Sequence, residues 1–326
     1  MRKLAAVLAA CLLASTVAAC GDDDSGGNGG SASGGSEEKV TIGMASFTLA
    51  APYFVGMTEA VEQAAAEAGN VEVITTDANG DAAKLTSDVE DLVARGVDGL
   101  IISAGPLESA PAALNSAEQA DIPTVLVDRK LTGDNYTSWI GPDNEAIGRQ
   151  DGEYLAKQLG GEGKVVIIRG GPADNTIGLA RTNGMLSGLE GTGIETAKAP
   201  EFGEWGTDGG QKVMEDVLAS TDDIDAVFCE NDSMCLGAQK AIRDAGREED
   251  IILAGVDGQK EALKAILDGT NYVVTGLNDS GQIGSEGFKR LKAILDGKEV
   301  EKDTVLPSPQ ITKENAEEYY DPNSIF

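Results

Sequence analysis

The sequence predicts an α/β fold of two lobes, each a parallel sheet with helices on both faces. Three observations lead there. From Lys39 onward, short β-rich apolar runs alternate with segments of helical periodicity. The cadence restarts after Pro142. Residues 38–326 are long enough for two ordinary α/β domains. Strands joined through helices of this length imply right-handed crossovers, and parallel sheets made this way are buried on both faces.

The elements follow in order. Val40 to Met44 reads as a strand. Pro52 then opens a helix carrying Phe54, Met57, Val61, Ala64 and Ala68 on one face, stopped by Gly69-Asn70. Val71 to Thr75 is the next strand, and Leu85, Val89, Leu92 and Val93 stripe the following helix, which ends at Gly96. Leu100 to Ile102 is a strand, a helix runs to Ala120, and Thr124 to Val127 is a strand. In the second half, helices near 145–159, 179–189 and 209–219 separate the strand Val165 to Ile168, one before Phe202 and one at Ala226 to Phe228. Ile251 to Val256 and Tyr272 to Thr275 follow, each preceded by a helix. Nine or ten strands are expected, divided between two sheets. Ligands of open parallel sheets sit at the carboxyl ends of the strands, so function is sought just past those ends.

The amino terminus predicts export. Arg2 and Lys3 precede an apolar stretch, Leu4 to Val17, that is short for a membrane span and ends in Val17-Ala18-Ala19-Cys20. Residues 1–19 read as a lipoprotein signal, with Cys20 as the lipidated residue; a plain secretory signal with an incidental cysteine is the alternative. Residues 20–37 are rich in Gly, Ser and Asp, a composition that buries no core and serves as a flexible tether. An exported location permits a disulfide between Cys229 and Cys235; two small buried thiols are the other reading.

Composition excludes several functions. The chain has no histidine, which removes His-dependent triads, imidazole bases and histidine zinc sites. A net charge of −30 makes it a poor partner for nucleic acid. Only Gly43 stands where a dinucleotide-binding glycine motif would follow the first strand. Asp22-Asp23-Asp24 belongs to the tether, and no loop has calcium-ligand spacing. No cofactor and no metal are expected.

Five segments carry a family resemblance. They are Ala51-Pro52-Tyr53-Phe54-Val55, Gly96 to Ile102, Val127-Asp128-Arg129, Phe228-Cys229-Glu230-Asn231-Asp232 and Gly255-Val256-Asp257-Gly258. In order and spacing, from Lys39 to about Pro309, the chain resembles the ribose-binding group of type I periplasmic binding proteins. The resemblance implies two Rossmann-like lobes joined by a three-segment hinge near Pro142, Asn278 and Pro307. The N-terminal lobe would comprise residues 38–142 plus 279–308, and the C-terminal lobe 143–278 plus 309–326. It further implies an extracytoplasmic, membrane-anchored, monomeric receptor of a bacterial ABC importer, which closes on a small ligand and delivers it to a permease. A sensor that presents a sugar or autoinducer-like molecule to a membrane receptor is the alternative.

The binding positions carry over residue by residue. Tyr53 and Phe54 match the aromatic pair that packs on a sugar ring, and Trp205 matches the aromatic of the opposite lobe. Asp128 and Arg129 match a carboxylate–guanidinium pair that binds adjacent hydroxyls. Arg181, Asn231 and Asp257 match positions of the C-terminal lobe, and Asn278 stands where ribose binders carry a hinge glutamine. Ala51 replaces their sugar-contacting asparagine, which opens the choice to another pentose, a hexose, an inositol or another polyol. Two acids balanced by two arginines favour a neutral polyhydroxylated ligand. The aspartates could be imagined as a glycosidase pair, but they are better explained as hydroxyl acceptors beside arginine. A repressor of the same fold would carry a helix-turn-helix where this chain has a signal and a tether.

Overall fold

The computed structural model describes residues 39–103, 105, 111–130, 134–172 and 176–326. The signal, Cys20 and the tether lie outside the described residues. The first sheet begins with β1 (Val40–Ser46), β2 (Val71–Asp77), β3 (Gly99–Ser103), β4 (Thr124–Val127) and β5 (Ser138–Pro142), with α1 (Pro52–Ala68), α2 (Ala82–Ala94) and α3 (Pro111–Gln119) between them. The second holds β6 (Glu162–Arg169), β7 (Gly193–Phe202), β8 (Ala226–Cys229), β9 (Ile252–Asp257) and β10 (Tyr272–Leu277). These alternate with α4 (Asn144–Gln158), α5 (Ile177–Gly188), α6 (Thr207–Ser220), α7 (Asp232–Asp244) and α8 (Lys260–Leu267). The chain then returns to the first sheet with α9 (Ser280–Leu295) and β11 (Asp303–Leu306), and to the second with β12 (Gln310–Thr312).

The two sheets have matching strand orders, β2-β1-β3-β4-β5-β11 and β7-β6-β8-β9-β10-β12. Every pairing is parallel except the antiparallel β10–β12. The chain passes between sheets after Pro142, after Leu277 and between Leu306 and Gln310. Gln150 and Gln310 tie these crossings together: the Gln310 amide donates to the Gln150 carbonyl at 2.6 Å, and the Leu277 amide donates to Pro309 at 3.0 Å.

Local sequence explains where elements start. Asp81, Asp143, Asn231 and Asp279 each cap a helix by accepting the backbone N–H three residues on. α1 opens with proline at its first turn, where the missing N–H costs nothing, and closes on Gly69 at φ 80°. Apolar stripes then bury each helix. On α2, Leu85, Val89 and Leu92 are buried as the spacing predicts, each contributing about 1.5–3 kcal/mol. On α1 the buried stripe is Met57, Val61 and Ala65, while Ala68 is exposed and Phe54 turns away from the core. Helices α4 and α5 meet backbone to backbone. A Cβ on Gly148 would lie 2.0 Å from the Arg181 carbonyl, and one on Gly184 would lie 2.1 Å from the Glu145 carbonyl. That contact sets the position of Arg181.

The strand count differs from expectation: the described residues form twelve strands where nine or ten are expected. β5 escapes because Ser-Trp-Ile-Gly-Pro has turn-like composition, β11 because it alternates exposed and half-buried residues at a sheet edge, and β12 because it spans three residues. Cys229 and Cys235 are buried free thiols, not a disulfide. The Cys235 thiol donates to the Ala254 carbonyl at 3.2 Å, and burial pushes the Cys229 thiol far up, away from reactive thiolate. No helix among the described residues is long and apolar enough to cross a membrane.

Candidate ligand-binding cleft

All nine candidate binding residues, Tyr53, Phe54, Asp128, Arg129, Arg181, Trp205, Asn231, Asp257, Asn278, line one cavity of about 350 Å³. It lies between the carboxyl ends of the two sheets, so most of its walls are strand ends or the opening turns of the helices that follow, joined by Phe326 of the C-terminal segment.

The N-terminal side is aromatic. Tyr53 and Phe54, at the start of α1, stand edge to face at 5.5 Å and 89°, and Phe47, one residue past β1, tilts against Phe54 at 6.3 Å. The Phe47 ring lies where a Cβ on Gly105 would be, 2.3 Å away, so glycine is needed there. Asp128 follows β4 in a left-handed backbone conformation, φ 67°. Its carbonyl accepts from the Trp139 indole at 3.2 Å, and its carboxylate accepts from the Tyr53 hydroxyl at 2.8 Å. Burial and the Asp128 charge push the Tyr53 hydroxyl well above the usual tyrosine range, so it stays a donor. Arg129 reaches across the cleft and donates to Thr176, the residue before α5, at 2.5 Å.

The C-terminal side is a polar network. Arg181 is only 3 % exposed, and each of its guanidinium nitrogens holds a protein oxygen. Nε donates to Asn144 at 2.8 Å, Nη1 to the Glu230 carbonyl at 2.6 Å, and Nη2 pairs with Asp257 Oδ1 at 3.1 Å. Asp257 ends β9 at φ 127°, a strained conformation for aspartate. Burial outweighs the adjacent Arg181 and lifts its carboxyl to about 7, with Asp232 and Asp128 adding to the rise.

Trp205 stands in a left-handed turn with Glu204, at φ 60° and 51°. Its indole lies against Gly170, where a Cβ would meet the ring at 2.0 Å. Asn231 caps α7, and its Nδ2 donates to the Trp205 carbonyl at 3.1 Å, so its amide positions the aromatic wall as well as lining the cavity.

Asn278, just past β10, joins the two sides. Its Nδ2 donates to the Tyr53 hydroxyl at 2.9 Å and to Asp257 Oδ1 at 3.2 Å, with Asp128 Oδ1 at 3.4 Å. Its Oδ1 is buried and has no hydrogen-bond partner among the described residues. The shorter side chain thus reaches both aspartates and keeps one acceptor available beside the cavity.

The structure adds residues to the nine that the sequence points to. Asp232 and Glu230 flank Asn231 in the Glu230-Asn231-Asp232 segment, and burial rather than any sequence pattern gives them their roles. Asp232 is fully buried and accepts from the Gly258 and Gln259 amides, both at 2.8 Å, from Tyr272 at 2.7 Å and from Thr275 at 2.8 Å. It thereby shapes the turn that presents Asp257. Glu230 accepts from Gly170 N–H at 2.7 Å and Thr182 at 2.6 Å, holding the loop under Trp205 to α5. Phe47 was within reach of the strand-end rule. Phe326, which also lines the cavity, carried no sequence signal.

Comparisons with known proteins agree with this architecture. A sequence model described as "Periplasmic binding protein domain" matches residues 42–299. The ribose import binding protein RbsB of Bacillus subtilis is 33% identical over 273 residues, covering 83% of this chain and 87% of that protein. A solved ABC transporter solute-binding protein from Mycobacterium smegmatis, with bound glycerol, superposes with a TM-score of 0.82 at 30% identity, covering 88% of this chain and 98% of the other. One from Bacillus halodurans, with bound myo-inositol, gives a TM-score of 0.80 at 30% identity, covering 87% and 98%. The chain belongs to the periplasmic binding protein family, in its type I, ribose-binding-protein-like form.

Proposed function

We propose that this protein is the solute-binding receptor of a bacterial ABC importer, capturing one small neutral sugar or polyol between its lobes and handing it to a membrane permease. The observation that carries the reading is the cavity itself. Tyr53 and Phe54 on one side and Trp205 on the other provide apolar walls suited to the C–H faces of a ring. Between them Asp128, Asp257 and the Asn278 Oδ1 offer acceptors, and Arg129 lines the same space. Binding of sugars and polyols by relatives, which include a xylitol-binding protein, points the same way.

The nine residues act as a clamp. Ligand hydroxyls bridging Asp128 and Asp257 favour the arrangement in which the lobes meet, because those contacts exist only there. Nothing in this design requires bond making or breaking, and we assign no catalysis to it. Cys20 anchors the receptor to the membrane through lipid, residues 20–37 provide the leash, and the receptor works as a monomer. Replacing Cys20 by Ser should move the protein from the membrane fraction to the soluble fraction, whereas unchanged membrane retention would reject the anchor.

A thermal-shift screen of the purified protein against pentoses, hexoses, inositols, linear polyols, nucleosides and amino acids tests the ligand class. A ligand at about 100 times its Kd adds about 2.7 kcal/mol to the folded state, a readily measured shift. Stabilisation by one carbohydrate class supports the reading. Stabilisation only by nucleosides or amino acids overturns the sugar assignment and leaves the fold standing.

A further inference from the structure

A second cavity, of about 390 Å³, adjoins the first, and among the described residues only Asp257 and Phe326 line both. Phe326 lies beyond the segment that the family model matches, which stops at residue 299. Its ring meets Tyr53 edge to face at 5.2 Å and 83°, and its Cβ approaches the N-terminal lobe at Gly56, 3.4 Å from where a Cβ on that glycine would lie.

The segment that delivers Phe326 is held by the other lobe. Ala316 is fully buried, and Tyr319 and Tyr320 pack against the core of the second sheet. A turn in which Asp321 accepts from the Asn323 and Ser324 amides reverses the chain, and Lys260, at the start of α8, donates to the Ser324 carbonyl. The strap is therefore rooted on the second lobe and ends against an aromatic residue of the first.

We propose that Phe326 is a specificity-determining wall that limits the ligand to a single ring or a short polyol. This rests on the carbohydrate reading given above. Without the ring, the primary cavity opens past Asp257 into a second space whose walls include Glu59, Gln63, Lys260 and Asp279, side chains able to pair with further hydroxyls. The two spaces are of similar size, so their union has room for a second ring. Phe326 also contributes apolar area beside Tyr53 and stiffens that ring. Its removal therefore weakens small ligands while admitting longer ones.

The test is calorimetric titration of the purified full chain and its Phe326→Ala and Phe326→Leu variants. The probes are D-ribose, D-glucose, xylitol and myo-inositol against maltose, cellobiose and trehalose. The wild type should bind at least one single-ring or linear probe and no disaccharide. Phe326→Ala should bind that probe about tenfold more weakly and gain measurable affinity for a disaccharide. Phe326→Leu, which keeps most of the bulk, should still exclude disaccharides. Equal selectivity in wild type and Phe326→Ala overturns the wall and leaves the sugar reading intact, as does disaccharide binding by the wild type. Failure of the wild type to bind any of these probes, together with stabilisation by a non-carbohydrate in the thermal screen, overturns both readings.

Discussion

The two sides of the cleft solve the same problem with different materials. On the N-terminal side, ring-on-ring contacts among Phe47, Phe54, Tyr53 and Phe326 shape the wall, and Asp128 is steadied by Tyr53, Trp139 and Asn278. On the C-terminal side, Arg181, Glu230 and Asp232 are each at most 3 % exposed and saturated with protein hydrogen bonds. Yet each side presents an aspartate on a left-handed backbone at a strand end. Such strain persists only where surrounding contacts over-determine it. The comparison separates two tasks. Dispersed apolar contacts can adapt to a ring's shape, whereas a buried charged network fixes the direction of a carboxylate and fails sharply when one member is lost.

Breaking the network should therefore have the largest effect. Asp232→Ala removes the acceptor of the Gln259 amide and of the Tyr272 and Thr275 hydroxyls in the interior and leaves the Gly258 amide only Thr275 Oγ1, so it should cost about 3 kcal/mol or more of stability, read by urea denaturation. A loss under about 0.5 kcal/mol would show that the turn is held some other way. Asp257→Ala removes the acceptor itself. It should leave the fold intact and weaken ligand about 100-fold in calorimetry; wild-type affinity would sink its place in the site. Tyr53→Phe, on the adaptable side, should weaken ligand only about fivefold to tenfold, because one neutral hydroxyl is lost and the ring remains. A loss as large as that of Asp257→Ala would erase the distinction between the sides.

The remaining test is a pH signature. Asp257 is lifted to about 7 in the folded state from an ordinary value near 3.8, so the folded chain holds a proton that the unfolded chain releases. Its contribution to stability is favourable at low pH and declines as pH rises from about 4 to about 7, by at most about 1.4 kcal/mol per pH unit, then levels off. Arg181 opposes this rise while Asp232 and Asp128 reinforce it. The stability difference between wild type and Asp257→Asn should thus narrow or reverse across that interval. A difference independent of pH would mean that the Arg181 pairing cancels burial.

Particular residues mark how much was legible beforehand. Leu85, Val89 and Leu92 announced both their helix and its buried face, since an apolar stripe at helical spacing has one packing solution. Asp128 and Asp257 were readable from strand-end positions together with the family resemblance, and both line the cavity. Phe54 was ambiguous, because its spacing fits the α1 stripe, and only packing turned it toward Phe47 and the cavity. Arg181 lines the cavity as its family match implies, and only the fold shows that Asn144, Glu230 and Asp257 engage its nitrogens.

The sequence by itself determined the alternation of strands and helices, the division into two sheets and the strand ends on which the site is built. These follow from local periodicity, capping and chain length, which need no knowledge of distant neighbours. Tertiary structure alone decided that Asp232 holds the Asp257 turn, that Asn278 joins two aspartates, and that Phe326 returns to stand between two cavities. Those contacts link residues separated by up to 273 positions in the chain, as Tyr53 and Phe326 are. Hydrogen bonds and ring contacts across such distances leave no periodic trace in a single sequence, because only the folded backbone brings their members together.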